Sequence, residues 1–281
     1  MTKTIAFQGV FGAYSHIACQ ELFPNETYMP CNDFTDAFNA VQRSVADYAV
    51  IPIENSNAGR VADVHFLLSQ TPLHIIGEHF LRIKHQLIGL PTSSIEKIKE
   101  VLSHPQALAQ CSNFLHNNNM TPIAQNDTAI SCQIISSSQR NDIAAIASKK
   151  AAEIYNLKIL ASDIENADNN TTRFLIMSPP PVIPRNNGQK FITSLIFKSK
   201  NIPAALYKAL GGFASNNLNI TKLESYLLNG KFVSAQFYLE VEAHPEDSRL
   251  KNALAELQFF SKEYTILGTY TAHPYRDKQN D

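Results

Sequence analysis

Short runs of β-branched and aliphatic residues alternate with amphipathic helical stretches up to about residue 180 of this 281-residue chain. This alternation predicts an α/β fold in which helices cover mostly parallel sheets. In such sheets ligands bind at the carboxyl ends of the strands, where loops meet the N-termini of helices. The predicted strands span residues 4–7, 47–53, 73–77, 86–90, 99–102 and 142–147. The predicted helices span residues 14–22, 34–43, 61–69, 106–116 and 128–136.

A proline-rich connector at residues 179–188 marks the clearest domain boundary. It has no apolar periodicity and combines stiff prolines with a flexible Asn-Asn-Gly end. We therefore predict one domain over residues 1–181 and a second over residues 190–275.

The second domain has the order strand, helix, strand, strand, helix, strand, with a hairpin turn at Asn229-Gly230. This βαββαβ order is typical of a ferredoxin-like fold. Because a small sheet with one open face commonly pairs with a second copy, we expect a homo-oligomer, a dimer or a tetramer. The predicted strands span residues 191–197, 220–228, 232–241 and 264–270, and the helices span residues 204–215 and 247–261.

The charge balance argues against nucleic-acid and membrane partners. Lys plus Arg number 24 against 25 Asp plus Glu, so the net charge is -1 and there is no basic field. No apolar run approaches the roughly 18 residues of a membrane span. The chain begins directly with a strand-like segment, and its four cysteines show no CxxC spacing. We therefore expect a reduced, cytoplasmic protein that binds small molecules.

The nine histidines form no HExxH motif and no finger-like cluster with cysteine, so no metal site is predicted. His79 and His85 lie in a segment that alternates like a strand. The alternation predicts that both lie on one face of a sheet.

The segment at residues 169–174, Asn-Asn-Thr-Thr-Arg-Phe, places amides, hydroxyls and a cation between an acidic linker and an apolar strand. A carboxylate ligand requires a cation and neutral donors of this kind. The segment therefore predicts an anion site, with a solvated polar loop as the alternative.

Four motifs occur in the order found in one enzyme family. They are residues 5–16, with a strand, a glycine loop and a helix start; residues 50–56, with Pro-Ile-Glu-Asn-Ser and Gly59 following; Ser-His-Pro-Gln at residues 103–106, with Gln110-Cys111; and Thr172-Arg173-Phe174. The chain resembles monofunctional prephenate dehydratase over nearly its whole length.

The resemblance implies a two-lobed αβ catalytic domain, similar to periplasmic binding proteins, with a cleft between the lobes and an ACT regulatory domain after it. Lobe one would comprise about residues 1–78 and 161–181, and lobe two about residues 79–160. The implied reaction converts prephenate to phenylpyruvate, with loss of CO₂ and water, in phenylalanine biosynthesis. It requires no cofactor and no metal. Arogenate as the substrate and a non-catalytic sensor of aromatic acids are the alternatives.

The resemblance also implies four catalytic residues. Thr172 would contact the leaving hydroxyl as a donor or proton relay, and Arg173 would hold a substrate carboxylate or, alternatively, order the loop. Asn55 and Gln110 would donate from neutral amides. Purely structural roles are the simpler alternatives: a capping hydroxyl, a salt bridge, a turn and a solvated helix face, respectively. The implied substrate-binding residues are Ser15, Ser56, Gly59, Ser103, Thr171 and Phe174.

Residues 190–275 are similar to an ACT domain, but they depart from its motifs. Ala204 stands where a glycine is usual, and Tyr226-Leu227 stands where Arg-Pro is common, which removes a cation and changes the backbone restraint. The resemblance implies phenylalanine as an allosteric effector bound between paired ACT units. The implied effector-binding residues are Ala204, Leu206, Asn219, Glu224 and Ser225.

Overall fold

The computed structural model describes residues 2–228 and 231–279. The predicted turn at Asn229-Gly230 lies outside the described residues. The chain divides into two compact units. Unit 1 comprises Met1–Val64 and His79–Phe174, and unit 2 comprises His65–Glu78 and Leu175–Asp281. None of the described helices is long and apolar enough to cross a membrane.

The elements before the connector follow the predicted alternation of strands and helices. The strands are β1 (Thr4–Gln8), β2 (Thr27–Cys31), β3 (Tyr48–Asn55), β4 (Gly59–Arg60), β5 (His74–Arg82), β6 (Gln86–Gly89), β7 (Glu100–Ser103), β8 (Thr121–Ala124), β9 (Ile143–Ala147), β10 (Lys158–Ala161) and β11 (Thr171–Ser178). The helices are α1 (Tyr14–Leu22), α2 (Phe34–Gln42), α3 (Ala62–Leu68), α4 (Pro105–Gln110), α5 (Ser112–Asn117), α6 (Thr128–Ser137) and α7 (Lys149–Ile154).

The first sheet has the strand order β2-β1-β3-β11-β5, with β4 paired to β3. β1 runs parallel to both β2 and β3. Buried aliphatic and aromatic residues of β1 and β3, such as Ile5, Phe7 and Val50, form a core with Phe174 of β11. Because β3 ends at Asn55 and β11 begins at Thr171, their polar ends lie side by side, and the backbone N–H of Ser56 donates to the carbonyl of Thr171 at 2.8 Å.

The second sheet has the order β10-β6-β9-β7-β8. β7 runs parallel to β8 and β9, whereas β6 runs antiparallel to β9 and β10. The sheet is therefore mixed, and the predicted strands at residues 86–90 and 142–147 pair antiparallel.

The predicted helix at residues 106–116 is broken into α4 and α5 at Cys111. The cause is the side chain of Asn166. Its Nδ2 donates to the carbonyl of Ala109 at 3.3 Å, and its Oδ1 accepts from the backbone N–H of Asn113 at 3.1 Å. A side chain inserted in this way interrupts the helical hydrogen-bond ladder.

Gly12, in the loop between β1 and α1, packs directly on α7. A Cβ added at Gly12 would lie 2.8 Å from Cα of Ala151, and the φ of Gly12 is +93°. Both observations require glycine. The hydroxyl of Ser148 donates to the Gly12 carbonyl at 2.6 Å, which fixes the loop that precedes α1.

Unit 2 contains a four-stranded antiparallel sheet in the order β13-β14-β12-β15. Its element order is the predicted βαββαβ. The buried core joins this sheet to both helices and includes Leu195, Phe213, Leu239 and Leu250. The strands are β12 (Phe191–Ser199), β13 (Ile220–Leu228), β14 (Lys231–Glu242) and β15 (Ser261–Thr271), and the helices are α8 (Ala205–Ser215) and α9 (Ser248–Phe260).

Candidate functional site

A cavity of about 340 Å³ lies within unit 1. The first sheet and α1 supply Ser15, Asn55, Thr172 and Phe174. The segment before β6, the helices α4 and α6 and the residues that precede these helices supply His85, His104, Gln110, Asp127 and Thr128. No Lys or Arg occurs among the described residues that line it, so an anion bound there would be held by hydrogen bonds and not by an ion pair with either residue type.

Asn55 uses all of its hydrogen-bonding capacity within the protein. Its Oδ1 accepts from the backbone N–H groups of Asn57 and Ala58, both at 3.0 Å. Its Nδ2 donates to Oδ1 of Asn170 at 2.7 Å and to Oγ1 of Thr172 at 3.0 Å. The amide therefore orients the Thr172 hydroxyl at the cavity wall.

Asn170 connects this group to Gln110. It is completely buried, and its Nδ2 donates to Oε1 of Gln110 at 3.0 Å. The Nε2 atom of Gln110 is buried and has no hydrogen-bond partner among the described residues. An unsatisfied buried donor costs free energy, and because Gln110 lines the cavity, a ligand oxygen there could satisfy it.

The His85 imidazole completes the chain of contacts. Its Nε2 lies 2.9 Å from Oε1 of Gln110, and its Nδ1 lies 2.9 Å from the hydroxyl of Tyr14. The predicted shared sheet face of His79 and His85 is wrong, because β5 ends at Arg82 and His85 lies between β5 and β6, 2 % exposed. His79 instead contacts Glu21, with its Nε2 2.8 Å from a carboxylate oxygen.

The side chain of Arg173 is 3 % exposed and does not line the cavity. Successive side chains of a strand point to opposite faces, so Thr172 and Phe174 share the cavity wall and Arg173 lies on the other face. Its guanidinium donates to Oε1 of Glu54 at 2.9 Å and lies 5.9 Å from the centre of the Phe80 ring. This placement favours the second predicted role for Arg173, ordering the chain around the site.

Hydrogen bonds of Ser56 and Thr171 join the end of β3 to the start of β11. The hydroxyl of Ser56 donates to the carbonyl of Asn169 at 2.7 Å and accepts from the backbone N–H of Thr171 at 3.0 Å. Gly59 is exposed in β4 with a φ of +77°. Neither Ser56, Thr171 nor Gly59 lines the cavity. Their contacts are those of residues that hold the ends of β3 and β11 together.

Of the remaining predicted substrate-binding residues, two line the cavity and one does not. Ser15 and Phe174 line the cavity and are buried. Ser103 is completely buried, and its hydroxyl donates to the carbonyl of Ile146 at 2.6 Å, so it joins β7 to β9.

Asp127 is the acidic residue of the cavity wall. It caps α6, and its Oδ1 accepts from the backbone N–H of Ala129 at 2.7 Å. Burial raises the pKa of the Asp127 carboxyl, whereas its backbone hydrogen bonds act in the opposite direction. Burial also lowers the pKa of His85 and raises that of the Cys111 thiol to about 12. No group of three His, Cys, Asp or Glu that could hold a metal ion occurs in the described part of the chain.

Sequence reasoning missed His85, Tyr14 and Asn170. Asn170 belongs to the polar segment, but no role was predicted for it. The available signal was its amide, two residues before the predicted catalytic residue Thr172 at the start of a strand. For Tyr14 and His85, which are distant in the sequence, no local pattern indicates their contact.

The five predicted effector residues belong to unit 2. Ala204 and Leu206 lie at the start of α8, and Ala204 has a left-handed backbone with φ of 60°. Asn219 precedes β13, and its Nδ2 donates to Oε2 of Glu242 at 2.8 Å. Glu224 and Ser225 lie in β13, and the Glu224 carboxylate is 3.4 Å from Nζ of Lys222.

Comparisons with known proteins agree on one family. Residues 5–181 match the family model for prephenate dehydratase. The chain is 44 % identical over 276 residues to a bifunctional N-acyl-homoserine lactone acylase/prephenate dehydratase of Komagataeibacter europaeus, covering 98 % of each chain. It is 42 % identical over 280 residues to arogenate dehydratase/prephenate dehydratase 1 of Arabidopsis thaliana, a chloroplastic protein, covering 95 % of this chain and 71 % of the relative.

A solved structure extends the similarity to three dimensions. It is the prephenate dehydratase of Arthrobacter aurescens in complex with L-Phe, which is 28 % identical, has a TM-score of 0.89, and matches 96 % of this chain and 90 % of that chain. The family-model match and the sequence relatives together show that this chain belongs to the prephenate dehydratase family.

Proposed function

We propose that this chain catalyses the decarboxylating dehydration of prephenate to phenylpyruvate. In this reaction the bond between the ring and its carboxylate breaks and releases CO₂. The electron pair moves through the ring to expel the hydroxyl, which takes up a proton and leaves as water. Because aromatisation drives the step, the protein has to orient the substrate and to stabilise the departing oxygen.

The orientation of the Thr172 hydroxyl carries the proposal. Its oxygen accepts from Nδ2 of Asn55 at 3.0 Å, so its own hydrogen is directed elsewhere, and Thr172 lines the cavity. A hydroxyl held in this way can donate to the leaving oxygen. Direct loss of the Thr172 proton is unnecessary, since a positioned hydrogen bond stabilises the charge that develops.

The absence of Lys and Arg from the described lining of the cavity suits decarboxylation. A cation beside the departing carboxylate would stabilise the ground state and slow its loss. The described lining offers Nε2 of Gln110 and the hydroxyl of Ser15 as neutral donors, with the Phe174 ring as apolar wall. We propose that Gln110 and Ser15 bind substrate oxygens, that Phe174 packs on the ring, and that Arg173, Ser56, Gly59, Ser103 and Thr171 support them from outside the cavity.

We further propose that residues 1–181 form the catalytic domain and that residues 190–275 form an ACT domain that binds phenylalanine. The βαββαβ order of unit 2 and the L-Phe complex of the Arthrobacter aurescens relative support this assignment. Binding would occur between paired copies near Ala204, Leu206, Asn219, Glu224 and Ser225. Calorimetry with phenylalanine tests the regulatory part, and an absence of heat would remove it while leaving catalysis untouched.

Two other activities follow from the names of the relatives. Arogenate in place of prephenate is supported by the Arabidopsis thaliana relative, and hydrolysis of an N-acyl-homoserine lactone is supported by the Komagataeibacter europaeus relative. A binding protein that turns over neither acid is the remaining alternative. The donor held at Thr172 favours the dehydratase, because binding alone does not require it.

One experiment separates these activities. Purified protein is incubated in parallel with prephenate, arogenate and an N-acyl-homoserine lactone. Phenylpyruvate absorbance in alkali, phenylalanine and the released fatty acid are then measured. We expect phenylpyruvate from prephenate at the highest kcat/KM. Folded protein that forms no product from prephenate contradicts the proposal, and product only from arogenate reassigns the substrate.

A further inference from the structure

We propose that His85 is a positioning residue that holds the Gln110 carboxamide with its NH₂ group directed to the substrate. The inference rests on the proposed function and adds a residue to it. His85 contacts Gln110 at 2.9 Å and is 2 % exposed at the cavity wall.

A series of hydrogen bonds runs from Asn55 through Asn170 and Gln110 to His85. The direction of each bond follows from the backbone N–H groups at the Asn55 end. The N–H groups of Asn57 and Ala58 both point at Oδ1 of Asn55. Turning the Asn55 amide over would place its NH₂ group against two other donors, so Nδ2 must face Asn170. Asn170 therefore accepts through Oδ1 and donates through Nδ2.

The same reasoning fixes Gln110 and His85. The Nδ2 group of Asn170 lies 3.0 Å from Gln110, which must present Oε1 to it. Because that same oxygen lies 2.9 Å from His85, the imidazole must carry a hydrogen on Nε2. Gln110 is left with an NH₂ group that is buried, without a partner among the described residues, and in the cavity wall.

Tyr14 and Glu165 hold the imidazole in place. The Tyr14 hydroxyl lies 2.9 Å from Nδ1 of His85 and 2.8 Å from the carbonyl of Lys84, so with the imidazole hydrogen on Nε2 these two acceptors share the one hydroxyl hydrogen. A carboxylate oxygen of Glu165 accepts from the backbone N–H of His85 at 2.9 Å. The ring is therefore anchored at Nδ1 and at its backbone, and Nε2–H is the group that acts on Gln110.

A double-mutant cycle tests the proposal on the full chain. His85→Leu removes the Nε2–H donor to Gln110. This change should lower kcat with prephenate by about 10²-fold, the scale expected for a misplaced catalytic group, with a smaller change in KM. In the Gln110→Ala background the same substitution should cost little, because His85 acts through Gln110. An equal loss in both backgrounds overturns the proposal.

Conservative replacement and a matched control separate positioning from folding. His85→Gln places an N–H near the position of Nε2 and should recover most of the kcat lost in His85→Leu. His79→Leu makes the same change in the same segment, away from the cavity, and should leave kcat unchanged. Failure of His85→Gln to exceed His85→Leu, with both variants folded, contradicts the proposal.

Nitrogen-15 NMR of histidine-labelled wild-type protein gives a readout that needs no turnover. We expect the neutral His85 ring to carry its hydrogen on Nε2. A ring protonated on Nδ1 alone overturns the proposal even in an active enzyme. An inactive protein with the Nε2–H form instead rejects the dehydratase function and retains the orientation of Gln110.

Discussion

Asn55→Asp redirects the Thr172 hydroxyl while keeping the shape of the side chain at position 55. The aspartate keeps an oxygen to accept from the backbone N–H groups of Asn57 and Ala58, so the loop after β3 retains its hydrogen bonds. Its second oxygen replaces the NH₂ group that donated to Thr172 at 3.0 Å and to Oδ1 of Asn170 at 2.7 Å, so the Asn170 amide must turn as well. Because an ionised carboxylate only accepts, the Thr172 hydroxyl must donate to it and is withdrawn from the cavity.

The expected loss follows from the removal of one preorganised donor. Such a donor contributes about 10²–10³ in kcat, or roughly 3–4 kcal/mol. We therefore expect Asn55→Asp to lose at least as much kcat as Thr172→Ala, because it also disturbs Asn170, and the double variant to lose little more than Asn55→Asp alone. Prephenate turnover at saturating substrate gives kcat, and thermal unfolding verifies that each variant is folded.

A matched control tests whether charge alone accounts for the loss. Asn57→Asp introduces the same charge two residues away, in the same loop, and should retain wild-type kcat. If Asn55→Asp keeps kcat within about threefold of wild type, the assigned role of Thr172 is wrong. If Asn57→Asp loses as much as Asn55→Asp, the loss comes from charge in the loop.

Three further predictions concern stability. Arg173→Met leaves the partly buried Glu54 carboxylate without the guanidinium contact at 2.9 Å. The free energy of unfolding, measured by urea denaturation, should fall by about 3 kcal/mol, and a change near zero would contradict the structural role of this pair. Burial lowers the pKa of His16 from 6.5 to about 4, so the unfolded chain binds more protons between these values. The free energy of unfolding should then fall as pH drops from 6.5 towards 4, and His16→Gln should reduce the slope. Ala204→Gly relieves a left-handed alanine and should raise the free energy of unfolding by about 0.5 kcal/mol after the greater freedom of the unfolded glycine is subtracted; a clear decrease would show that the alanine methyl has a packing role.

Most of the longer strands and helices were predictable from sequence, whereas the short α7 and β10 were not predicted. The bounds of α1 and β13 were predicted as the structure has them. The missed strands β2 and β8 lie at sheet edges and contain Pro30 and Pro122, respectively; β8 is exposed throughout and β2 in part. Edge strands tolerate proline and need no continuous apolar pattern, so their sequences resemble loops.

The site was predictable in its residue types but not in its contacts. Strand alternation through Thr172, Arg173 and Phe174 already implies that the arginine faces away from its two neighbours. The bonds from Asn55 to Thr172 and from His85 to Gln110 join residues far apart in the chain. Such tertiary contacts have no local signature, which explains why His85 was assigned to a sheet surface.

The turnover of prephenate by Thr172→Ser and Thr172→Ala tests most directly whether the Thr172 hydroxyl serves the chemical step. Serine keeps the hydroxyl within reach of Asn55 and should retain kcat within about tenfold of wild type, whereas alanine should lose about 10²-fold or more with a modest change in KM. Equal kcat values for the two variants, both folded, would contradict a role for that hydroxyl in expelling the ring oxygen.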